Sequence, residues 1–551
     1  MQLSCSKEFG PMQMKIERLD HLGVVAGILK ELELSKEIDA LLPPTDDMKA
    51  SVGECVAAMI LCGLGFSQTP LSLTPHFFEK LPVGFLLGND HLQAQDLNHW
   101  KLGRSLEKLH EYGCEKIFAE LSYKACQKES VETQWSHGDT TSFSFSGKYA
   151  SDEESAEVEI NHGYSRDHRP DLVQIVQEML VSDSYGIPLG IKHWSGNSND
   201  SEIFHQRIQT MSQNLNPSVR GIILDSKGYN QRNEPYLKNL GFISRVPATL
   251  KAHEEMVVTA LGVAEWQTLA EGEYWQEFAH EDERWIVVYS SAAEHRSQQA
   301  LAYKCEHENE ELQQALKKLQ RKRFNCPTDA EQALQEVFKK AKYHSLIGFE
   351  TTAIQKQPQR GRPKEGQEKI TVSWRIQAEF ELDEDKTVGL DAEGACYIVV
   401  TNLPAQELPA PEAIALYKQQ SKVERGFRFL KDPQFFTSAL FLKKPERVQG
   451  LLTVMTLALL VYSLAERRLR MALAQKNETL PNQIKQETAT PTLRWVFYLL
   501  KDINRVFLEI PGQPKQCLVE GVNDLKTKIL RLFGTQVELN YQLAPSEGCS
   551  M

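Results

Sequence analysis

The chain has 551 residues, of which 41% are apolar and 25% are charged, and its formal net charge is −12. This length and composition exclude a disordered, collagen-like or small disulfide-stabilised chain and predict a globular protein of several domains. The ten cysteines are scattered without a C-x-x-C pair, which argues against a zinc ribbon and favours a reducing, cytoplasmic environment.

Residues 1–130 are predicted to form an all-helical N-terminal domain. Leu22, Val25 and Ile28 recur at helical spacing, and Ser51 with Glu54 forms a capping-box pattern before an apolar run. The pattern does not specify a chemistry. A helical scaffold and a DNA-end-binding or dimerising domain both fit it.

Residues 131–250 change to a pattern typical of a mixed α/β sheet. Polar and apolar residues alternate over 133–147, 171–183 and 187–195, which predicts three strands. A helix follows, and then a short apolar run ends in Asp225, as in a strand that is buried on both faces. A second short helix and a last strand complete the predicted order.

Residues 251–400 interrupt this domain with an inserted α+β domain that is rich in predicted strands. Within it, residues 317–364 contain twelve Lys or Arg and four Asp or Glu, a local balance of +8. A basic segment in an acidic chain can bind a polyanion, although a solvated surface gives the same pattern. Arg360 and Arg362 flank Gly361 in an Arg-Gly-Arg-Pro sequence that matches the core of an AT-hook. Minor-groove contact, general phosphate contact and a plain flexible loop are all open for it.

Residues 401–470 are predicted to return to the core with a long helix, and residues 471–551 to form a helical C-terminal region. Residues 448–465 contain no charge and approach the length of a membrane span. Polar residues dilute this stretch, so we expect a buried core helix and no contact with a membrane.

Three acids are candidates for chemistry. Asp139 shares its strand face with Phe143 and Phe145, where a carboxylate is costly without a partner or a metal. Asp225 ends the buried strand, although a turn or cap role would also explain an acid there. Glu424 lies seven residues from both Tyr417 and Lys431, so one helical stripe would carry all three. A solvated helix edge is the alternative for Glu424.

These residues carry a family resemblance. The order Asp139-Thr140-Thr141, Asp225 and Tyr417-x6-Glu424-x6-Lys431 resembles the bacterial insertion-sequence DDE transposases, in particular the group with a Tyr-Arg-Glu-Lys signature. The motifs HGYSRDHRPDL at His162–Leu172 and KKPERVQGLL at Lys443–Leu452 are also similar to that group. The resemblance covers about residues 131–470. The arginine that the signature has four residues before its glutamate is Gln420 here, and Lys418 or Lys422 could supply the cation.

The resemblance implies an RNase H-like catalytic core in which Asp139, Asp225 and Glu424 bind two Mg²⁺ or Mn²⁺ ions. Two such ions about 4 Å apart support in-line displacement at phosphorus, in which a freed 3′-hydroxyl then attacks target DNA. Asp225 and Glu424 are 199 residues apart, and relatives of this group carry a β-rich insertion at that place.

The implied partner is double-stranded DNA, both the terminal inverted repeats of the element and the target, bound by a homodimer close to the nucleoid. The residues expected to contact DNA are Tyr417, Lys418, Lys422, Arg425, Arg428, Lys431, Arg360 and Arg362. The alternative function is a catalytically inactive DNA-binding regulator derived from a transposase. The presence of all three acids favours the enzyme.

Overall fold

The computed structural model describes residues 13–45, 48–66, 70–147, 149, 158–213, 219–357, 368–387, 390–433, 435, 442–509 and 516–543, without the side chains of 391–393. The chain divides into two compact units. Unit 1 consists of Met1–Ser244 and Ile414–Met551, and unit 2 consists of Arg245–Ala413. Unit 2 is therefore inserted in sequence between the two parts of unit 1; the sequence predicted an insertion at 251–400.

The helices and strands follow in chain order. The first part of unit 1 contains β1 (Gln13–Arg18), α1 (Leu22–Glu31), α2 (Leu34–Leu41), α3 (Val52–Leu64), α4 (Thr74–Phe78), α5 (Val83–Leu87), α6 (His99–Tyr112), α7 (Cys114–Lys128), β2 (Trp135–Phe145), β3 (Val173–Ser182), β4 (Pro188–Ser195), α8 (Asp200–Gln213), β5 (Gly221–Ile223), α9 (Glu234–Leu237) and β6 (Phe242–Arg245). Single 3-10 turns lie at Leu71–Leu73 and Ala94–Leu97. Unit 2 contains α10 (Lys251–Leu261), β7 (Gln267–Ala270), β8 (Glu273–His280), β9 (Glu283–Ser290), α11 (Ser291–Arg321), α12 (Pro327–Phe338), β10 (His344–Lys356), β11 (Ile370–Leu382), α13 (Glu384–Thr387), α14 (Leu390–Ala395) and β12 (Cys396–Thr401). The chain continues with α15 (Ala410–Lys418), α16 (Ser421–Leu430), α17 (Pro445–Lys476), β13 (Leu480–Pro481), β14 (Glu487–Thr488), α18 (Leu493–Leu499), β15 (Asn504–Glu509), β16 (Gln516–Glu520), α19 (Asp524–Arg531) and α20 (Thr535–Asn540).

The sheet of unit 1 has the strand order β4-β3-β2-β5-β6. Strands β2, β3 and β4 form antiparallel pairs, whereas β5 runs parallel to β2 and β6 parallel to β5. The three residues of β5 are all buried, in agreement with an uninterrupted apolar run. The predicted mixed α/β sheet is therefore confirmed, and β2 lies at the point where the sheet changes from antiparallel to parallel.

Unit 2 contains an antiparallel sheet in the order β12-β9-β8-β7 and a separate hairpin of β10 and β11. The hairpin packs against α11 and α12. A small hydrophobic core joins these elements and consists of Leu316, Phe324, Ala330, Leu334 and Ile376.

Helix α17 is the centre of the hydrophobic core of unit 1. Every residue from Val448 to Val461 is buried, and the helix packs against α1, α3, α6, α7, α16, α18 and β4. Its polar residues are satisfied internally: the Thr456 hydroxyl donates to the Leu452 carbonyl at 2.8 Å and accepts from the Gln177 amide at 3.0 Å. Among the described residues, α17 is the one helix long and apolar enough to cross a bilayer, and 94% of its apolar window is buried inside the protein. The prediction of a buried core helix is confirmed.

Two sequence predictions about the ends of the chain were wrong. The N-terminal segment is not all-helical, because β1 pairs antiparallel with β15, and β16 completes a three-stranded sheet. The C-terminal region is likewise not wholly helical, since it contains β13 to β16. The partners in the β1–β15 pair are nearly 500 residues apart (Gln13 opposite Glu509). No local pattern in either segment reports such a pairing.

The close contact between α17 and α6 gives a stability prediction. A Cβ atom on Gly450 would lie 2.6 Å from the backbone oxygen of Leu106, so the two helices can approach only because residue 450 has no side chain. We expect Gly450→Ala to lower the free energy of unfolding by about 1–3 kcal/mol through overpacking. Gly348→Ala, where a Cβ atom would meet nothing within 4 Å, is the control. Equal unfolding midpoints for the two variants in urea would contradict this account.

Candidate active site

Asp139 and Asp225 lie beside each other at the parallel junction of the sheet. The register of β2 and β5 pairs His137 with Ile223. Asp139 follows His137 by two residues within β2, and Asp225 follows the last residue of β5 by two, and the charge of Asp225 acts on Asp139. The tertiary fold thus joins two acids that are 86 residues apart in sequence.

The two carboxylates are half-buried and interact electrostatically. Burial, together with the charge of Asp225, raises the pKa of Asp139 to about 6, although the amide of Thr140 and the charge of Arg166 oppose this rise. The Thr140 amide donates to Oδ1 of Asp139 at 2.7 Å. Burial also raises the pKa of Asp225, whose Oδ1 accepts from the Lys227 amide at 2.8 Å. Ionisation of both acids is therefore less favourable here than in water.

Sequence reasoning missed a third acid, Asp200, the first residue of α8. Its Oδ1 accepts from the Thr140 hydroxyl at 2.7 Å and also from Arg166, and its Oδ2 accepts from Lys227 Nζ at 2.5 Å. The charge of Asp200 contributes to the raised pKa of both Asp139 and Asp225. An acid in the first turn of a helix is common in sequences, so no local signal distinguished Asp200.

Helix α16 covers the face of the sheet to which Asp139 belongs. Met179 is directly opposite Asp139 in the β2–β3 register, and a Cβ atom on Gly426 of α16 would lie 2.9 Å from the Met179 Cε. At the start of α16, the amide oxygen of Gln420 accepts from His137 Nδ1 at 3.2 Å, and its amide nitrogen donates to the Gly138 carbonyl at 3.3 Å. Burial lowers the pKa of His137 to about 4, so this ring is neutral at physiological pH.

Glu424 is exposed on α16, four residues after Gln420. Positions i and i+4 share a helix face, so Glu424 lies on the same side of α16 as Gln420, which contacts β2 next to Asp139. Within the described ranges, however, no group of three His, Cys, Asp or Glu side chains has the spacing of a formed metal site. The structure brings Asp139, Asp225 and Asp200 together, and it positions Glu424 on the adjacent helix.

The predicted single helix around Glu424 is two helices. α15 ends at Lys418, α16 begins at Ser421, and Lys431 follows the last residue of α16. A turn at Gln419 and Gln420 separates them, and the Gln420 side chain bonds to β2. Tyr417, Glu424 and Lys431 therefore do not share one continuous helical stripe.

The cations expected to contact DNA occupy different surroundings. Lys431 Nζ forms an ion pair with Asp167 at 3.0 and 3.2 Å to the two carboxylate oxygens. Lys422 and Arg425 line a cleft of about 400 Å³ with Arg470 and the turn at Asp183–Tyr185, and burial lowers the pKa of Lys422.

Among the other expected DNA contacts, Lys418 and Arg428 are exposed and Tyr417 is half-buried. Arg360 and Arg362 lie outside the described residues. Their proposed DNA contact therefore rests on the sequence alone.

Comparison with known proteins gives two family matches. Residues 159–461 match the family described as "Transposase DDE domain", and residues 14–123 match a "Domain of unknown function (DUF4277)". The first match covers more than half of the chain and includes Asp225 and Glu424, but it begins after Asp139.

Two further comparisons add little. The comparison with curated proteins found no match. Among solved structures, the chain is similar to the "Cryo-EM structure of piggyBac transposase synaptic complex with hairpin DNA (SNHP)", with 9% identity, a TM-score of 0.35, and coverage of 89% of this chain and 82% of that chain.

The raised pKa of Asp139 gives a pH prediction for the metal-free protein. Because the folded pKa of about 6 exceeds the ordinary aspartate pKa of 3.8, this group favours folding while it is protonated, and that contribution is lost as the pH rises through about 6. Asp139→Asn should therefore have the same free energy of unfolding as the wild type near pH 4. Above pH 7 its free energy of unfolding should exceed that of the wild type by up to about 3 kcal/mol, at 1.36 kcal/mol per pKa unit. The measurement is urea unfolding in EDTA across this range. The exposed-carboxylate variant Glu379→Gln should show no such divergence, and a pH-independent difference for Asp139→Asn would contradict the assignment.

Proposed function

The chain belongs to the family of transposases with a DDE domain, and from this premise we propose that it is a DNA transposase that cuts the ends of its own insertion sequence and joins the 3′-hydroxyls to target DNA. The observation that carries the proposal is the proximity of Asp139, within β2, to Asp225, which follows the parallel strand β5. The strand order of unit 1, with three antiparallel strands followed by two parallel ones, supports an RNase H-like core.

The residues present fit a divalent cation. Asp139 and Asp225 offer hard oxygen ligands, and burial raises the pKa of both acids, so a bound cation would stabilise their ionised forms. We propose that these two residues, with Glu424 from the neighbouring helix, bind two Mg²⁺ or Mn²⁺ ions. Bound ions would activate the attacking oxygen and stabilise the leaving oxygen in a displacement at phosphorus.

The protein side chains have separate roles in this proposal. The backbone amides of Thr140 and Lys227 each donate to one acid and so orient its carboxylate. Gln420 holds the start of α16 against β2, which fixes the helix that carries Glu424 relative to Asp139. The sheet and α16 together exclude water from one side of the acids, where electrostatic interactions are stronger than in bulk solvent.

The DNA backbone is proposed to contact the cations of α15 and α16 and of the residues that follow them. The exposed Lys418 and Arg428, the cleft residues Lys422 and Arg425, and Lys431 would bind phosphates, with Tyr417 beside them. Arg360 and Arg362 are proposed to contribute from the basic loop of unit 2. A homodimer on the paired element ends, in the cytoplasm close to the nucleoid, completes the proposal.

Loss of the acids should abolish cleavage without loss of DNA binding. Asp139→Asn, Asp225→Asn and Glu424→Gln each remove a proposed metal ligand while they preserve side-chain volume, so no nick should form at the element boundary. The assay uses DNA that carries the terminal inverted repeats, with Mg²⁺ or with EDTA, and measures binding in parallel by gel shift.

Glu379→Gln is the control, because this exposed carboxylate lies in unit 2. Full cleavage by any of the three acid variants would remove that residue from the triad. A wild-type protein that binds the ends but never nicks them with Mg²⁺ would support the inactive regulator instead.

Lys431 should act on DNA and not on metal. In the DNA-free protein its ammonium pairs with Asp167, and a phosphate can replace this partly exposed carboxylate. We expect Lys431→Ala to weaken binding of the element end and to reduce the slope of log K against log salt by about 0.9.

Calorimetric metal binding by Lys431→Ala should stay at the wild-type value. Lys30→Ala, which removes an exposed lysine of α1, is the control and should leave the slope unchanged. Loss of metal binding in Lys431→Ala would show that the lysine shapes the acid site.

A further inference from the structure

We propose that Arg166 and Asp200 form a clamp that holds Asp139 and Asp225 at a fixed separation, and that both are positioning residues for the proposed metal site. The inference rests on the proposed function and adds residues that the DDE pattern does not contain. The clamp consists of Arg166, Asp200, the Thr140 side chain and the Lys227 ammonium.

The clamp connects the two strands immediately beside the two acids. Asp200 accepts from the Thr140 hydroxyl at 2.7 Å and from Lys227 Nζ at 2.5 Å. Thr140 follows Asp139 directly, and Lys227 is two residues after Asp225. The Asp200 carboxylate therefore links the residue next to Asp139 to a residue close to Asp225.

Arg166 closes the clamp on β2. Its guanidinium donates to the Thr140 carbonyl, to the Thr140 hydroxyl at 2.5 Å, and to Asp200. Three acceptors around one planar group require the fork of an arginine, which the single ammonium of lysine does not reproduce. The arrangement fixes both the backbone and the side chain of the residue after Asp139.

One buried residue, Gln174, connects the segment that precedes Arg166 to the segment that precedes Asp200. The Gln174 amide, only 2% exposed, donates to the Tyr164 carbonyl at 3.2 Å and to the Gly196 carbonyl at 2.7 Å. These two residues precede Arg166 and Asp200 by two and four positions. A Cβ atom on Gly163 would lie 1.9 Å from the Gly196 oxygen, so glycine is required for the two segments to meet there.

Asp200 acts by position and not as a metal ligand in this proposal. Its Oδ1 already accepts from Thr140 and Arg166, and its Oδ2 accepts from Lys227. With a side-chain exposure of 17%, the carboxylate is mostly shielded from water. Partners that orient ligands in this way typically change metal affinity or activity by about 10–100-fold when they are removed.

The test uses Thr140→Val and Asp200→Asn, because both keep side-chain volume: the first removes the hydroxyl that bonds Asp200 and Arg166, and the second removes the carboxylate charge and one of its two acceptor oxygens. Mn²⁺ affinity of the full chain without DNA is measured by electron paramagnetic resonance of free Mn²⁺. We expect the Kd for Mn²⁺ to rise by about 10–100-fold in both variants. Thr140→Ser keeps the hydroxyl and should restore the wild-type Kd, and Arg166→Lys should fail to do so.

A matched control comes from the same loop. Arg169 and Asp171 form a two-pronged ion pair at 2.8 and 2.7 Å that is exposed and makes no described contact with β2. Arg169→Gln should leave the Kd for Mn²⁺ unchanged. In cleavage assays, Thr140→Val should lower kcat and leave the KM for DNA unaltered, since the clamp orients ligands and does not contact the duplex in this proposal.

The outcomes separate the clamp from the function on which it rests. Wild-type Mn²⁺ affinity and kcat in Thr140→Val and Asp200→Asn, with only a lower unfolding temperature, would overturn the clamp and leave the transposase proposal intact. A wild-type chain that neither binds Mn²⁺ nor nicks the element ends would overturn both.

Discussion

Two like-charged carboxylates held side by side on a partly buried face of a sheet are the constraint around which the proposed active site is organised. Burial first, and the charges of neighbouring carboxylates second, disfavour ionisation of both Asp139 and Asp225. The surrounding residues offset part of this cost with two backbone amides and the nearby guanidinium of Arg166. The rest is available as a driving force for binding of a divalent cation, which ties the least favourable electrostatic feature of unit 1 to its proposed chemistry.

The hydrophobic core keeps this pair in place. α17 packs against the N-terminal helices, β4 and α16, and so joins residues from both ends of the chain in one core. α16 packs closely on Met179 at Gly426, and the Gln420 amide bonds to the strand next to Asp139. Packing of an apolar helix and two side-chain hydrogen bonds thereby fix where the last acid, Glu424, can lie.

The long separation between the second and third acids has a simple structural basis. Asp225 and Glu424 are 199 positions apart, and the chain between them includes the whole of unit 2, which has a hairpin and a small core of its own. Unit 1 is completed by residues on both sides of this insertion. An inserted unit with a core of its own can vary without disturbance of the β2–β5 register near Asp139 and Asp225.

The sequence by itself determined the elements whose signal is local. Alternation predicted β2, β3 and β4, an apolar run predicted β5, and an uncharged apolar stretch predicted the buried α17, because burial on one or both faces leaves a direct imprint on residue order. The same reasoning identified Asp139, Asp225 and Glu424 as the candidate acids.

The tertiary structure alone decided what depends on distant partners. The β1–β15 pair joins distant parts of the chain, and Gln420, at the break between α15 and α16, bonds to His137, 283 residues away. Asp200 is an ordinary first-turn acid until the fold brings Thr140, Arg166 and Lys227 to its two oxygens. Such contacts are set by packing in three dimensions, and no spacing along a single sequence encodes them.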